Sequence, residues 1–214
     1  MSHLLRIAHR AGNDLARLAP ALASGADLIE ADVHSHRGRL EVRHTKTLGP
    51  LPWLWDRWYL VPASDPRLYL HGLAEALPPT AHVMLDLKGW HPRLGARVRD
   101  VMAVAAPGIP YTVCSRTWPA LHAFDGLGHV RVVHSVRNRL ELRLLLRRLR
   151  RRATWGVSIH RELLTPARVQ RLHEHAAVVM TWPVNTPEAL AQVRDLGVDG
   201  VISDHLQALG ATAA

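Results

Sequence analysis

Short apolar stretches alternate with amphipathic segments along the whole chain, and this alternation constrains the fold more than any other feature. The stretches have the length and the Val, Ile and Leu content of buried parallel strands. Most intervals between them hold helical patterns, for example 91–106 and 185–197, and an antiparallel hairpin arm at 39–44 follows the second stretch. The strand candidates are 4–9, 27–33, 81–88, 111–115, 130–136, 154–159, 177–184 and 199–204.

Strands that alternate with helices predict a parallel sheet whose right-handed crossovers place the helices on the outside. Eight such units fit a closed (β/α)8 barrel. The chain has 214 residues, fewer than the roughly 250 typical of this architecture, so the connecting loops should be short. An open doubly wound sheet is the alternative, but no Gly-rich nucleotide-binding fingerprint follows any strand candidate. We therefore predict an α/β fold, a compact TIM barrel that forms one domain over residues 1–214.

The composition is that of a folded domain, with 48% hydrophobic and 21% charged residues. No apolar run approaches the roughly 18–20 residues that cross a bilayer, and the N-terminal residues do not fit a secretory signal, so a cytoplasmic location is expected. Cys114 is the only cysteine, which excludes an internal disulfide and a multi-cysteine zinc site. We expect it to be a buried strand residue rather than a nucleophile.

The net charge of +9 comes almost entirely from arginine, since Lys46 and Lys88 are the only lysines. Many arginines lie in 137–152, a segment predicted to be an amphipathic surface helix with a solvated basic face. Attraction of this face to an anionic membrane surface is the alternative. No nucleic-acid-binding motif accompanies the charge, so no specific nucleic-acid partner is predicted. The apolar stripe of this helix is predicted at Leu140, Leu144, Leu145 and Leu149.

Residues 45–68 interrupt the regular pattern with four prolines and three tryptophans. We predict that this Trp-rich segment caps the barrel. Packing of its tryptophans against the barrel rim is the simpler role, and contact with a lipid surface or with the apolar tail of a substrate is the alternative.

Polar side chains stand at the ends of several predicted strands. Because the carboxyl ends of the strands in a parallel barrel converge on one mouth, polar residues there are candidates for function. Within a strand, residues two apart point to the same face. Glu30 and Asp32 can therefore both point into the mouth, and so can Asp86 and Lys88. The residues concerned are His9 and Arg10, Glu30 and Asp32, His44, and Asp86 and Lys88.

The carboxylates Glu30, Asp32 and Asp86 could not all stay ionised at one point without a counter-charge. Oxygen ligands suit a hard divalent cation, so we expect a Mg²⁺ or Ca²⁺ site there. Separate ion pairs between each acid and an arginine are the alternative. His9 and His44 would lie beside this site, where an imidazole can donate or accept a proton.

The segments "AHRAGN", "LIEADV", "EVRH", "LDLK" and "VMTWPVNTPEALAQVRDLGVDGVISD" resemble the glycerophosphodiester phosphodiesterase family. This family lies within a wider set of barrel phosphodiesterases that includes phosphatidylinositol-specific phospholipase C and sphingomyelinase D. The resemblance runs over residues 7–204. It implies metal-assisted hydrolysis of a small phosphodiester substrate, such as a glycerophosphodiester or a related lysophospholipid, with a cyclic phosphate as a product that can form first.

The resemblance also implies roles for individual residues. They are metal binding by Glu30, Asp32 and Asp86, acid–base catalysis by His9 and His44, with His44 as the acid, phosphate binding by Arg10 and Lys88, and lining of the substrate pocket by Trp182.

The chain departs from the family pattern at several positions. The first loop is shorter and offers only Asn13 as a partial substitute, Thr45 stands where an acid usually follows the second histidine, and Asp86 stands where Glu is commoner. An outlying subgroup with altered substrate preference fits these departures. The alternatives are a catalytically weakened barrel that binds phosphorylated ligands or anionic membranes, and an isomerase or aldolase that uses Lys88.

Overall fold

The computed structural model describes residues 3–49, 51–56, 59–65 and 67–206. Its strands are β1 (Leu5–Ala8), β2 (Leu28–His36), β3 (Arg39–Val42), β4 (Lys46–Thr47), β5 (Trp53–Asp56), β6 (Tyr59–Pro62), β7 (Leu68–Tyr69), β8 (Val83–Lys88), β9 (Tyr111–Ser115), β10 (Val130–Val136), β11 (Thr154–His160), β12 (Ala176–Trp182) and β13 (Gly200–Ser203). Its α-helices are α1 (Leu18–Ala23), α2 (Leu70–Ala76), α3 (Leu94–Ala105), α4 (Arg139–Leu149), α5 (Pro166–His173) and α6 (Pro187–Asp195). Short 3₁₀ helices cover Ala11–Asn13, Leu15–Arg17, Trp118–Phe124 and Arg161–Leu163.

Eight parallel strands close into a barrel. Each strand from β8 to β13 pairs with the next one in the chain, β2 pairs with β8, and β1 pairs with both β13 and β2. The predicted TIM barrel is therefore confirmed, and every predicted strand is one of its eight strands. The predicted hairpin arm is β3, which runs antiparallel to the end of β2 and pairs in turn with β7.

The barrel interior is filled by apolar side chains that point inward from the strands. Cys114 is among them and is buried, as predicted, and burial raises the pKa of its thiol well above the ordinary value. A larger core lies between the strands and the surrounding helices. The buried residues of the interior are Ile7, Leu28, Met84, Cys114, Val133, Met180 and Ile202.

The helix boundaries follow from capping residues. Thr186 caps α6 by accepting a hydrogen bond from the backbone N–H of Ala189, and Gly197 follows the helix with a positive φ of 77°. The first helix, α1, is short and covers only Leu18–Ala23. Regular α-helix begins at Leu18 because Pro20 is tolerated only within a first turn, and 3₁₀ turns precede it.

The Arg-rich helix α4 is amphipathic, but half of the predicted apolar stripe is wrong. Leu145 and Leu149 are buried as predicted, together with Leu142. Leu140 and Leu144 are 65% and 45% exposed. Leu142, Leu145 and Leu149 also repeat at helical spacing, so the sequence pattern fits either stripe. In the structure, these three leucines form the buried face of the helix.

The Trp-rich segment contains a three-stranded antiparallel sheet, β4–β5–β6, which we call the cap sheet. Side chains alternate along β5, so that Leu54 is buried while Trp53 and Trp55 are exposed on the other face. Local packing therefore accounts for only one face of this sheet. Trp58, the third tryptophan of the segment, lies outside the described residues.

Among the described residues, no helix is both long enough and apolar enough to cross a lipid bilayer.

His134 on β10 is expected to make stability depend on pH. Burial and the neighbouring Arg148 guanidinium lower the pKa of His134 to about 4. The unfolded chain, with a pKa near 6.5, then binds more protons than the native state between these values, so stability is lost as pH falls from about 6.5 to about 4. Chemical denaturation of wild type and His134→Gln should show that wild type loses about 3 kcal/mol more across this range. Parallel losses in the two proteins would contradict the assignment.

Candidate active site

Three carboxylates meet at the mouth end of β2 and β8. The strands are in register with Asp32 beside Asp86, and Glu30 lies two residues before Asp32 on the same inward face. One oxygen from each of the three acids lies within 4.8 Å of the others. Glu30 and Asp32 are buried, and the side chain of Asp86 is mostly so. The residues predicted to bind a metal thus form one buried cluster.

Lys88 is the counter-charge of this cluster. Its Nζ lies 2.9 Å from Asp32 Oδ1 and also donates to Asp86. Burial opposes the charged ammonium, but Asp86 and Asp32 outweigh it and raise the pKa of Lys88 well above its ordinary value. Burial likewise opposes the Asp32 carboxylate, yet Lys88 and hydrogen bonds hold the pKa of Asp32 below its usual range.

Lys88 and Arg10, whose Nε lies 3.8 Å from Asp32 Oδ2, do not together neutralise three acids. Burial and the nearby Asp32 charge raise the pKa of Glu30 well above its ordinary value, and burial also raises the pKa of Asp86. The cluster is therefore short of positive charge. Converging carboxylate oxygens with this shortage fit a hard divalent cation.

The first loop positions two of the acids. Arg10 adopts a left-handed backbone with φ 56°, and its N–H donates to Glu30 Oε2 at 2.6 Å. Asn13 donates its amide to Asp32 Oδ2 and accepts from the Asp32 backbone N–H, both at 2.8 Å. Gly12 permits this approach, since a Cβ there would lie 2.7 Å from the Cβ of Ala31. The shortened loop therefore holds Asp32 in place through the two hydrogen bonds of Asn13.

His44 lies on one side of the cluster. Its Nδ1 is 3.4 Å from Asp32 Oδ2, and its Nε2 is 2.9 Å from the Arg10 guanidinium. Asp56, from β5 of the cap sheet, brings Oδ1 to 3.5 Å from the same Nε2. Thr45 supplies only a carbonyl to Arg43. The acid missing at position 45 is thus replaced in space by Asp56, which sequence analysis did not assign.

His9 lies on the other side, at the end of β1. Its Nδ1 is 2.7 Å from Asp204 Oδ1, and this hydrogen bond is the main cause that holds the pKa of Asp204 below its usual range. Asn185 fixes Asp204 by donating to Oδ2 and accepting from its backbone N–H, both at 3.0 Å. Both residues lie in a motif that carries the family resemblance, but no role was predicted for them. They follow the ends of β12 and β13, and this position at the barrel mouth was the signal that could have predicted a role in the site.

Trp182 and two further histidines complete the rim. Trp182 ends β12 and packs edge to face against His160, with 4.9 Å between ring centres. His34 and His36 also lie near the mouth, because β2 continues through His36. Burial and Arg43 lower the pKa of His34 to about 3. The turn itself is at 37–38, where both residues have positive φ.

Comparison with known proteins supports the resemblance predicted from the sequence. The model of the glycerophosphoryl diester phosphodiesterase family matches residues 178–207. This segment contains Trp182, Asn185 and Asp204. The resemblance to this family is confirmed. Its members are phosphoric diester hydrolases, which supports the enzyme class predicted from the sequence. A search of curated protein sequences found no significant match.

Solved structures of phosphodiesterases share the fold. A glycerophosphodiester phosphodiesterase from Thermotoga maritima has 17% identity and a TM-score of 0.75, and the alignment covers 97% of each chain. An Oleispira antarctica phosphodiesterase, solved with the product sn-glycerol-3-phosphate, has 19% identity and a TM-score of 0.76, with 97% of this chain and 95% of that chain covered. The closed barrel is therefore common to these proteins.

Proposed function

We propose that the protein is a metal-dependent hydrolase of glycerophosphodiesters or related lysophospholipids, which it cleaves to an alcohol and glycerol phosphate, with the glycerol phosphate still acylated when the substrate is a lysophospholipid. The observation that carries this proposal is the cluster of three acids within 4.8 Å, flanked by His9 and His44. The family match and the product bound by the Oleispira antarctica relative support the same substrate class.

Glu30, Asp32 and Asp86 would hold the metal, for which we propose Mg²⁺ or Ca²⁺. When bound, such an ion stabilises negative charge that develops on the phosphate oxygens. Arg10 and Lys88 would bind the same oxygens, since their charged groups reach the mouth while the acids lie deeper. A phosphate that accepts from Arg10 would also withdraw this guanidinium from His44 Nε2 and leave that nitrogen available for proton transfer.

His9 and His44 would share the proton transfers. Asp204 holds His9 through Nδ1, so a proton on Nδ1 leaves Nε2 as the base that accepts the proton of the attacking hydroxyl. His44 would be the acid that protonates the leaving alkoxide, with Asp32 near its Nδ1 and Asp56 near its Nε2. When the attacking hydroxyl belongs to the substrate, a cyclic phosphate forms first. Trp182 would line the pocket for the rest of the substrate.

The test is hydrolysis of glycerophosphocholine with Mg²⁺ or Ca²⁺, followed by ³¹P NMR. We expect turnover that stops with a chelator and returns with the metal. Asp86→Asn should weaken binding of the metal alone by about 10-fold or more in calorimetry, because a charged oxygen ligand is lost. Asp65→Asn, in the Trp-rich segment outside the cluster, is the control. Turnover that persists in chelator would overturn the metal-dependent mechanism.

A further inference from the structure

We propose that one half of the barrel mouth docks on an anionic phospholipid membrane, so that the active site takes its substrate from a lipid surface. The docking concerns the rim from β2 to β10, and its apolar part consists of Trp53, Trp55, Leu60, Trp90 and Leu140, which we call the membrane-facing rim. The substrate part of this inference rests on the proposed function, whereas the docking does not.

The cap sheet supplies one part of the rim. Along β5, Leu54 and Asp56 face the barrel, so Trp53 and Trp55 face outward. Residues directly opposite each other in antiparallel strands share a face, and Leu60 of β6 is paired with Trp55. Leu60 is accordingly 58% exposed. A sheet of three short strands thus buries one apolar face on the barrel and presents a second one outward.

Trp90 and Leu140 continue the rim around the mouth. Trp90 follows β8 by two residues and is 85% exposed, and Leu140 is in the first turn of α4, directly after β10. The barrel order is β2, β8, β9, β10. The exposed apolar groups therefore follow β8 and β10 and lie on the cap sheet, in the same half of the mouth whose strands β2 and β8 carry the three acids.

The charge around these groups selects an anionic lipid surface as the occupant. The Lys46 ammonium lies 5.2 Å from the ring centre of Trp55, and Arg137 and Arg139 are exposed beside Leu140. Exposed tryptophans and basic side chains on one surface are typical of binding to the membrane interface. A second copy of this chain would bring the same positive charges, and a net charge of +9, against each other.

The position of the acids agrees with this docking. A phospholipid that lies in the membrane would present its phosphodiester to the mouth from the side of β2 and β8, the strands that carry the acids. Lysophospholipids would then be better substrates in a lipid surface than as dissolved monomers.

The experiment is flotation of the full chain with phosphatidylcholine vesicles that contain phosphatidylglycerol, compared with pure phosphatidylcholine vesicles. We expect binding to the anionic vesicles that weakens with salt. Trp90→Ser and the double variant Trp53→Ser/Trp55→Ser should each weaken binding by about tenfold or more. Val104→Ser, which removes an exposed apolar residue at the C-terminal end of α3, should bind as wild type does. The Trp90 variant changes a loop side chain, so it keeps the test valid if the double variant misfolds.

Each outcome decides the matter. Absence of vesicle binding, equal binding to both vesicle types, or unchanged binding of the Trp90→Ser variant would overturn the docking. So would a dimer in sedimentation that the same tryptophan substitutions dissociate, because a second copy would then cover the face. Soluble glycerophosphocholine should be hydrolysed equally by wild type and variants, whereas hydrolysis of vesicle-bound lysophosphatidylcholine should fall with binding. Vesicle binding without any hydrolysis would overturn the proposed function and leave the docking intact.

Discussion

His9→Ala should hydrolyse glycerophosphocholine about 10²–10⁴-fold more slowly than wild type, because a positioned proton acceptor contributes this much. The reason is geometric. Asp204 holds His9 at 2.7 Å beside the acidic cluster, so the imidazole is oriented. The measurement is kcat/KM at saturating metal, with the metal affinity determined separately by calorimetry.

A matched control for this variant exists within the chain. His173 pairs with Asp199 at 2.8 Å, which is nearly the geometry of His9 and Asp204, but Asp199 directly precedes β13 and lies at the opposite end of the barrel. His173→Ala should therefore retain the activity of wild type. A His9→Ala enzyme within about tenfold of wild type would show that His9 does not transfer the proton.

Asp204→Asn separates positioning from catalysis. The amide cannot stabilise a charged imidazole, so activity should fall between that of wild type and that of His9→Ala. The pH profile of kcat/KM should shift in this variant, because the imidazole loses its carboxylate partner. A variant that lost stability alone would keep the profile of wild type.

Lys88→Met should destabilise the protein by about 3 kcal/mol, since removal of one partner leaves buried charges uncompensated. This value is at the lower end of the usual range because the Lys88 side chain is 33% exposed, which screens its charge. Lys46→Met is the matched control, because Lys46 is the only other lysine and is exposed over Trp55. The measurement is chemical denaturation at neutral pH without divalent cations.

The pH dependence of the Lys88→Met variant has a definite sign. In wild type, Lys88 keeps the folded-state pKa of Asp32 low, so the contribution of this ion pair is complete above the unfolded pKa near 4 and is lost as pH falls through the folded value. Without Lys88, the pKa of each acid in the cluster should rise, because a positive neighbour is lost, and protonation relieves the repulsion. The gap in stability between wild type and variant should therefore narrow on acidification, and it should also narrow with Mg²⁺ or Ca²⁺. A gap independent of both would mean that Lys88 acts through packing alone.

The sequence by itself determined the barrel and the core of its site. Strand period and strand–helix alternation are local properties, so they alone place Glu30 with Asp32 and Asp86 with Lys88 on shared faces. The convergence of the strand ends then followed from the architecture.

Only the tertiary structure decided which groups complete the site. Asp204 reaches His9 across 195 positions of the chain, and Asp56 reaches His44 only because the cap sheet folds back over the mouth. The same holds for α4, where contact with the barrel chose Leu142 instead of Leu140. Such pairings depend on barrel closure and on helix packing, which bring distant segments together. A local sequence pattern therefore does not show which distant residue a side chain will contact.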